Sequence, residues 1–155
     1  MNSVNHGSNS LTIPLFDEES RGFWEGTSAK ELRIQMCSQC RRFRFPPRVM
    51  CPFCRSTTRH WETVSGRGTL WSYVVPHPPL LPAYAELAPY NVIVVALDED
   101  PTIRLVGNLL ARADGPINEV DPVSIEIGEP VSVVFSPRLG PDGTEVLMPE
   151  WIRSS

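Results

Sequence analysis

Four cysteines stand in two matched pairs, Cys37-x-x-Cys40 and Cys51-x-x-Cys54, with ten residues between the pairs. Two residues between cysteines let one tight turn aim both sulfurs at a single point. Two such turns face to face build a tetrahedral set of thiolates, which zinc accepts with no geometric preference of its own. The ten-residue gap is long enough for a short hairpin that brings the turns together. Four protein ligands leave no position for water or substrate, so the ion is expected to be structural rather than catalytic. Iron in a rubredoxin-like site uses the same spacing and is the alternative. A thioredoxin-like redox pair fits poorly, because no βαβ pattern surrounds either pair.

Around these cysteines the charge is one-sided. From Leu32 to Trp61 there is no Asp or Glu, but there are Arg33, Arg41, Arg42, Arg44, Arg48, Arg55 and Arg59, with Phe43, Phe45 and Phe53 among them. Seven arginines against a zinc–thiolate centre of net −2 leave about +5 in this window, on a chain whose formal net charge is −4. Two readings stand side by side. In one, Arg41, Arg42, Arg44 and Arg48 form an anion site, since guanidinium forks match phosphate bidentately. In the other, the positive charge balances the thiolates and the rest is solvated surface.

No catalytic constellation accompanies the window. All four cysteines are committed to metal. The histidines are His6 near the start, His60 beside the cysteine module and His77 in the loop PHPP, and none has a nucleophile beside it in sequence. There is no G-x-S-x-G, H-E-x-x-H, Walker loop or G-x-G-x-x-G. The acidic trio Asp98, Glu99 and Asp100 reads as a hairpin turn. The chain is therefore not expected to be a catalyst by itself; a free-standing enzyme using His77 is a weaker reading.

The elements that must hold these residues follow from periodicity. Residues 1–13 read as a disordered tail and 14–36 as an N-terminal helix with a lead-in strand. Asp17 to Glu25 suits a short helix, with Asp17 as N-cap and Gly26 to end it. Over Glu31–Met36, Leu32, Ile34 and Met36 alternate with Arg33 and Gln35, the period of a strand with those two polar residues outward. Residues 37–62 form the zinc ribbon. Residues 63–155 carry short β-type runs at 68–75, 91–98, 102–109, 123–127, 130–135 and 145–152, bounded by Pro, Gly and Asp. Five or six strands in under a hundred residues suggest a small barrel such as the OB-fold, with Gly66 and Gly68 permitting a bulge at its first strand. The fold class is thus mainly β: a short helix, a rubredoxin-like ribbon and a C-terminal OB-fold barrel.

Totals narrow the partners. The 155 residues are 41% hydrophobic and 21% charged, a globular composition. The acidic total, with Lys30 the single lysine, disfavours nucleic acid and anionic membranes. A nucleic-acid-binding ribbon/OB module is still the main rival, because both folds host that function. No run is apolar and long enough to span a bilayer, and MNSVNHGSNS lacks a basic region followed by an apolar one. A cytoplasmic location is expected, where cysteines stay reduced.

In order along the chain come FWEGTSAKELRIQMCSQCRRFRFPPRVMCPFC, W-x-x-V-S-G-R-G-T-L-W-S-Y, PYNVIVVALD, LVGNL and IGEPV. This series resembles the acyl-CoA-associated zinc-ribbon/OB-fold proteins, long catalogued as a domain of unknown function, from about Phe16 to Trp151. The resemblance implies zinc ligation by Cys37, Cys40, Cys51 and Cys54. It implies a small non-catalytic partner of thiolase-superfamily enzymes (thiolases, lipid-transfer-protein-like aldolases, acyltransferases), or of a MaoC-type hydratase, in a hetero-oligomer. The work implied is binding or channelling a coenzyme A thioester in lipid or steroid side-chain degradation. The basic window then suits the phosphates of coenzyme A. Phe23, Trp24 and Trp151 are read either as docking anchors or as core.

Overall fold

The computed structural model describes residues 11–155. It holds two antiparallel sheets and one helix longer than a turn. The elements are α1 (Arg21–Ser28), β1 (Arg33–Cys37), β2 (Phe43–Arg44), β3 (Arg59–Thr63), β4 (Arg67–Val74), α2 (Pro82–Ala85), β5 (Val92–Leu97), β6 (Arg104–Gly107), β7 (Pro130–Leu139) and β8 (Glu145–Arg153). The ribbon sheet has the order β2-β1-β3, and the second sheet has the order β6-β5-β4-β7-β8. This second sheet curls into the OB-fold, and Leu109 bridges Trp151 to bring its two ends together. Leu110 N–H donates to Trp151 O at 2.7 Å and Trp151 N–H to Asn108 O at 3.0 Å, which fixes that seam. The mainly β ribbon-plus-OB architecture expected from the sequence is the one observed.

Helix α1 begins three residues later than its sequence suggests, with Ser20 rather than Asp17 at the N-cap position. Asp17 Oδ1 accepts the Ser20 N–H at 2.7 Å, and Ser20 Oγ accepts the Asp17 N–H at 3.2 Å. This reciprocal pair organises a turn ahead of the helix rather than its first turn. At the other end Gly26 does not stop it. Glu31 N–H donates to Gly26 O at 2.8 Å and Lys30 N–H to Thr27 O at 2.9 Å, with Lys30 at φ 58°. That is a Schellman cap with lysine in the left-handed position. The helix lies against the ribbon sheet through Gly22, where a β-carbon would stand 2.2 Å from the Trp61 indole. Of the expected tail, the first ten residues lie outside those described. Thr12 Oγ1 meets the Tyr84 hydroxyl at 2.9 Å, and Leu11 packs beside Tyr90 and Ile117.

Three further expectations change. Residues 123–127 are not a strand: Pro122–Ser124 is a 3₁₀ turn in which Asp121 Oδ1 accepts the Val123 N–H at 3.0 Å. A local side-chain bond of this kind gives the backbone an alternative to a sheet ladder. The bulge in β4 lies between Leu70 and Ser72, not at Gly66 or Gly68. Gly66 takes φ 73°, and a β-carbon on Gly68 would be 2.4 Å from Ala96 O, so these glycines serve a turn and a close strand approach. Gln35 does not point outward, for it is fully buried in the central ribbon strand.

One core serves both parts. Phe23 of α1 and Leu32 and Ile34 beside and within β1 join Leu70, Ile93, Val95, Leu105, Val131 and Trp151 of the barrel in a single cluster. Asn91 and Glu150 are among the polar residues buried in the chain. Asn91, fully buried, donates Nδ2–H to Leu109 O at 3.0 Å and accepts Leu109 N–H at 2.7 Å. Glu150, 3% exposed, pairs with Arg138 at 3.0 Å and accepts the Asn108 N–H.

Both buried groups make predictions. Asn91→Ala leaves a backbone N–H and C=O of Leu109 unpaired, and should cost about 2–4 kcal/mol in urea unfolding with the slope unchanged. Burial pushes the Glu150 carboxyl up from 4.5 to about 7, against the pull of the Asn108 N–H and of Arg138. The folded form therefore keeps a proton that the unfolded form has lost. Its contribution is fully present below pH 4.5 and is lost as pH rises through about 7. Unfolding free energy should fall across that window, and the decline should flatten in Glu150→Gln.

Candidate functional site

The two Cys-x-x-Cys turns are built alike. Each closes with an N–H to the carbonyl of its first cysteine: Arg41 to Cys37 at 3.0 Å and Arg55 to Cys51 at 2.9 Å. Each places an arginine in the left-handed region, Arg41 at φ 57° and Arg55 at φ 63°. The chain then bends so that the pairs face each other. Cys37 and Cys54 sulfurs lie 3.5 Å apart, Cys40 and Cys51 sulfurs 3.6 Å apart, and all four within 4.8 Å. A tetrahedral zinc with Zn–S of about 2.3 Å needs sulfurs about 3.8 Å apart, so this donor set fits the ion. Cys37 and Cys51 are buried, and Cys40 and Cys54 lie nearer the surface.

Charge makes the same point. Burial disfavours the Cys51 thiolate, yet the backbone N–H groups of Cys54 and Phe53 outweigh it and bring its pKa to about 6. The Cys37 thiol is also held below the usual range, by the Cys40 N–H against burial. The Arg42 N–H favours the Cys40 thiolate, but burial and the neighbouring sulfurs outweigh it and push that thiol up to about 11. The four sulfurs compete for charge, and a dication among them lets all four be thiolates. The structural zinc expected from the sequence is supported by this geometry. His60 is no ligand: it is bonded to Ser38 through Nδ1 and to Glu62 through Nε2.

The arginines of the basic window separate into different roles. Arg33 pairs with Glu31 and Arg59 with Glu19, both at 2.7 Å, so acids from outside the window neutralise them. Arg44 is 3% exposed, and its Nε–H donates to Gln35 Oε1 at 2.8 Å. Its Nη1 and Nη2 have no hydrogen-bond partner among the described residues. The same Gln35 oxygen accepts the Arg48 N–H at 2.9 Å, so one buried amide ties two arginine-bearing positions to β1. Arg42 is exposed, and its guanidinium lies 4.4 Å from the Phe53 ring centroid. Arg41 is exposed on its turn.

Between the ribbon and the β5–β6 turn run two adjoining hollows of about 330 and 290 Å³. Phe43, Phe53 and Thr102 line both; Arg44 and Arg48 line the first, Arg42 and Asp100 the second. The structure thus gathers Arg42, Arg44 and Arg48 along one groove, and Arg41 does not line it. The acidic trio forms a turn: Asp100 Oδ1 accepts from Thr102, and Glu99 Oε1 accepts the Ser65 N–H at 2.6 Å. His77 is exposed in its loop. Phe23 and Trp151 are 5% and 0% exposed and belong to the core, so neither is a docking anchor. Trp24 is half-buried and stacks on the exposed Phe16 at 5.1 Å. Gln35 was missed from the sequence because strand alternation alone turns it outward.

Comparison with known proteins gives a consistent picture. Residues 24–58 match the family description "ChsH2, rubredoxin-like zinc ribbon domain", and residues 61–136 match "ChsH2, C-terminal OB-fold domain". A probable enoyl-CoA hydratase alpha subunit of Thermomonospora curvata is 38% identical over 120 residues, covering 76% of this chain and 33% of that one. A DUF35 domain-containing scaffold protein of Methanothermobacter thermautotrophicus is 38% identical over 100 residues, covering 64% and 67%. The 3-oxo-4,17-pregnadiene-20-carboxyl-CoA hydratase alpha subunit of Mycobacterium tuberculosis is 31% identical over 122 residues, covering 79% and 35%. The chain thus spans about a third of the length of the two hydratase subunits. Among solved structures, a chain of the Ltp2-ChsH2(DUF35) aldolase superposes with a TM-score of 0.75 at 30% identity, covering 92% of this chain and 100% of that one.

The metal centre is open to direct test. Elemental analysis of the purified chain should find one zinc per molecule, and a folded chain with under half an equivalent of metal would contradict the assignment. Cys37→Ser should release the ion and sharply lower soluble yield, because a structural zinc supplies folding free energy itself.

Proposed function

Because this chain belongs to the DUF35 family of ChsH2-type zinc-ribbon/OB-fold proteins, we propose that it is a non-catalytic accessory subunit of an acyl-CoA-processing enzyme. In this reading it docks on a thiolase-superfamily partner, such as a lipid-transfer-protein-like aldolase, in a hetero-oligomer. There it helps to bind or channel a coenzyme A thioester during lipid or steroid side-chain degradation. The observation that carries the reading is the likeness to the full length of a chain of the Ltp2-ChsH2(DUF35) aldolase. The names of the two hydratase subunits support an acyl-CoA setting.

The groove supplies the chemistry. Coenzyme A brings a pyrophosphate and a ribose phosphate, which guanidinium forks bind in a charge-assisted way. Arg42 and Arg48 offer exposed forks, Arg41 stands nearby on its turn, and Arg44 adds buried positive charge beneath. The apolar faces of Phe43 and Phe53 line the same hollows and suit an adenine ring. Each exposed contact is worth about 0.5–1 kcal/mol, so two must be removed together for a clear effect.

Two measurements test this. Co-expression with a thiolase-superfamily aldolase from the same organism should give a complex stable to size exclusion at micromolar concentration, and clean separation would end the docking proposal. In that complex, Arg42→Ala with Arg48→Ala should raise KM for acyl-CoA several-fold and leave kcat nearly intact, since uniform binding is lost. Zinc content and Tm should be preserved. An unchanged KM would leave these arginines as solvated surface, and loss of the complex would assign them to the subunit interface.

A further inference from the structure

Away from the cysteines, a cleft of about 400 Å³ opens where α1, the ribbon and strands β6 and β8 come together. Its walls are apolar and largely aromatic: Phe23 and Trp24 from α1, Phe45 from the ribbon, Tyr84 from α2 and Leu105 from β6. At its polar end is Glu150 of β8, 3% exposed. Neither the metal centre nor the arginine groove uses this space, although Phe45 is a wall of both the groove and the cleft.

Its chemistry narrows what can enter. The volume falls in the range of small-molecule sites, which combine apolar walls with a few convergent polar groups. A carboxylate offers about four lone-pair directions. The Asn108 N–H takes one on Oε2 and the Arg138 guanidinium one on Oε1, so acceptor capacity is left over. Above pH about 7, where Glu150 is ionised, Arg138 balances its charge, so the pair as a whole draws neither an anion nor a cation. Arg104 also lines the cleft, with its guanidinium 3.7 Å from the Trp71 ring centroid. What it lacks is a neutral donor. Burial reinforces this, because a carboxylate held among aromatic rings gains more from an added hydrogen bond than one in water. Aromatic walls on several sides suit a flat or ring-bearing body.

We propose that this cleft is a binding site for an uncharged, mainly apolar small molecule whose hydroxyl group donates a hydrogen bond to Glu150. The site belongs to the chain itself and stands whether or not the arginine groove holds a nucleotide. A site built to receive a hydroxyl discriminates strongly against the analogue that lacks it, because its buried acceptor is then left short of a partner.

The test uses the intact zinc-loaded chain at a pH above 7, where Glu150 is ionised, with 4-hydroxybiphenyl as probe and 4-methylbiphenyl as its donor-free counterpart, followed by amide NMR and calorimetry. The hydroxyl probe should shift the Gly107 and Asn108 amides and the Trp24 indole N–H, and bind at least about tenfold tighter than the methyl probe. In Glu150→Gln, with Tm recorded alongside, that preference should shrink toward parity. Should the variant fail to fold, the wild-type preference decides alone. No shift up to the solubility limit of the probe, equal binding of the two probes, or shifts confined to the Phe53 groove would each overturn the proposal.

Discussion

Four sulfur atoms within 4.8 Å of one another set the terms for the rest of this chain. They cannot share that volume as thiolates without a cation, so folding of the ribbon and capture of a dication are one event. The consequences run outward along the backbone. Each turn must adopt a tight hydrogen-bonded loop, which forces Arg41 and Arg55 into left-handed conformations that a side chain normally avoids. From Cys37, strand β1 runs back through Gln35 and Ile34 between β2 and β3. Metal binding at one end of β1 thereby fixes the register of all three ribbon strands.

That register matters because the ribbon does not have a core of its own. Phe23, Leu32 and Ile34 share one apolar cluster with Leu70, Ile93 and Trp151 of the barrel. A three-stranded sheet of this size buries too little surface to stand alone, which is why such modules rely on a metal staple. Here the staple also serves the barrel, since Phe23 of α1 and Leu32 and Ile34 of the β1 region pack into the barrel's own apolar cluster. The cleft bounded by Trp24, Phe45 and Glu150 lies where three independently shaped pieces meet. Meeting points of that kind are where packing most easily leaves a ligand-sized space.

The metal site and the fold class were legible because each rests on a local rule. Cysteine spacing dictates turn geometry, and short β-branched runs between Gly, Pro and Asp dictate strands. What the sequence hid depended on tertiary company. Gln35 sits at a strand position that alternation turns outward, but a central strand has neighbours on both sides and packing on both faces. Val123 and Ile127 alternate like a strand, yet the Asp121 side chain and Pro122 divert the backbone into a turn. Trp151 could not be assigned to surface or core until its burial was known. Glu150 drew no notice because a lone glutamate beside an aromatic carries no motif; its burial and its two partners are properties of the assembled barrel.

The basic window shows how far a charge count in sequence overstates a binding surface. Seven arginines without an acid suggest a strong anion field, but the fold assigns most of them elsewhere. Arg33 and Arg59 meet glutamates from outside the window, Arg41 and Arg55 shape the metal turns, and Arg44 is buried against Gln35. Arg42 and Arg48 remain as exposed cations on the groove, the first steadied over the Phe53 ring. Two surface guanidinium groups bind a phosphate-bearing ligand weakly by themselves. They bind it well only if a second surface closes over the groove, excludes water and contributes contacts of its own. Under the proposed role, then, weakness in the isolated chain is what the physics requires: a subunit that completes another protein's site needs only part of the binding energy, and its partner supplies the rest.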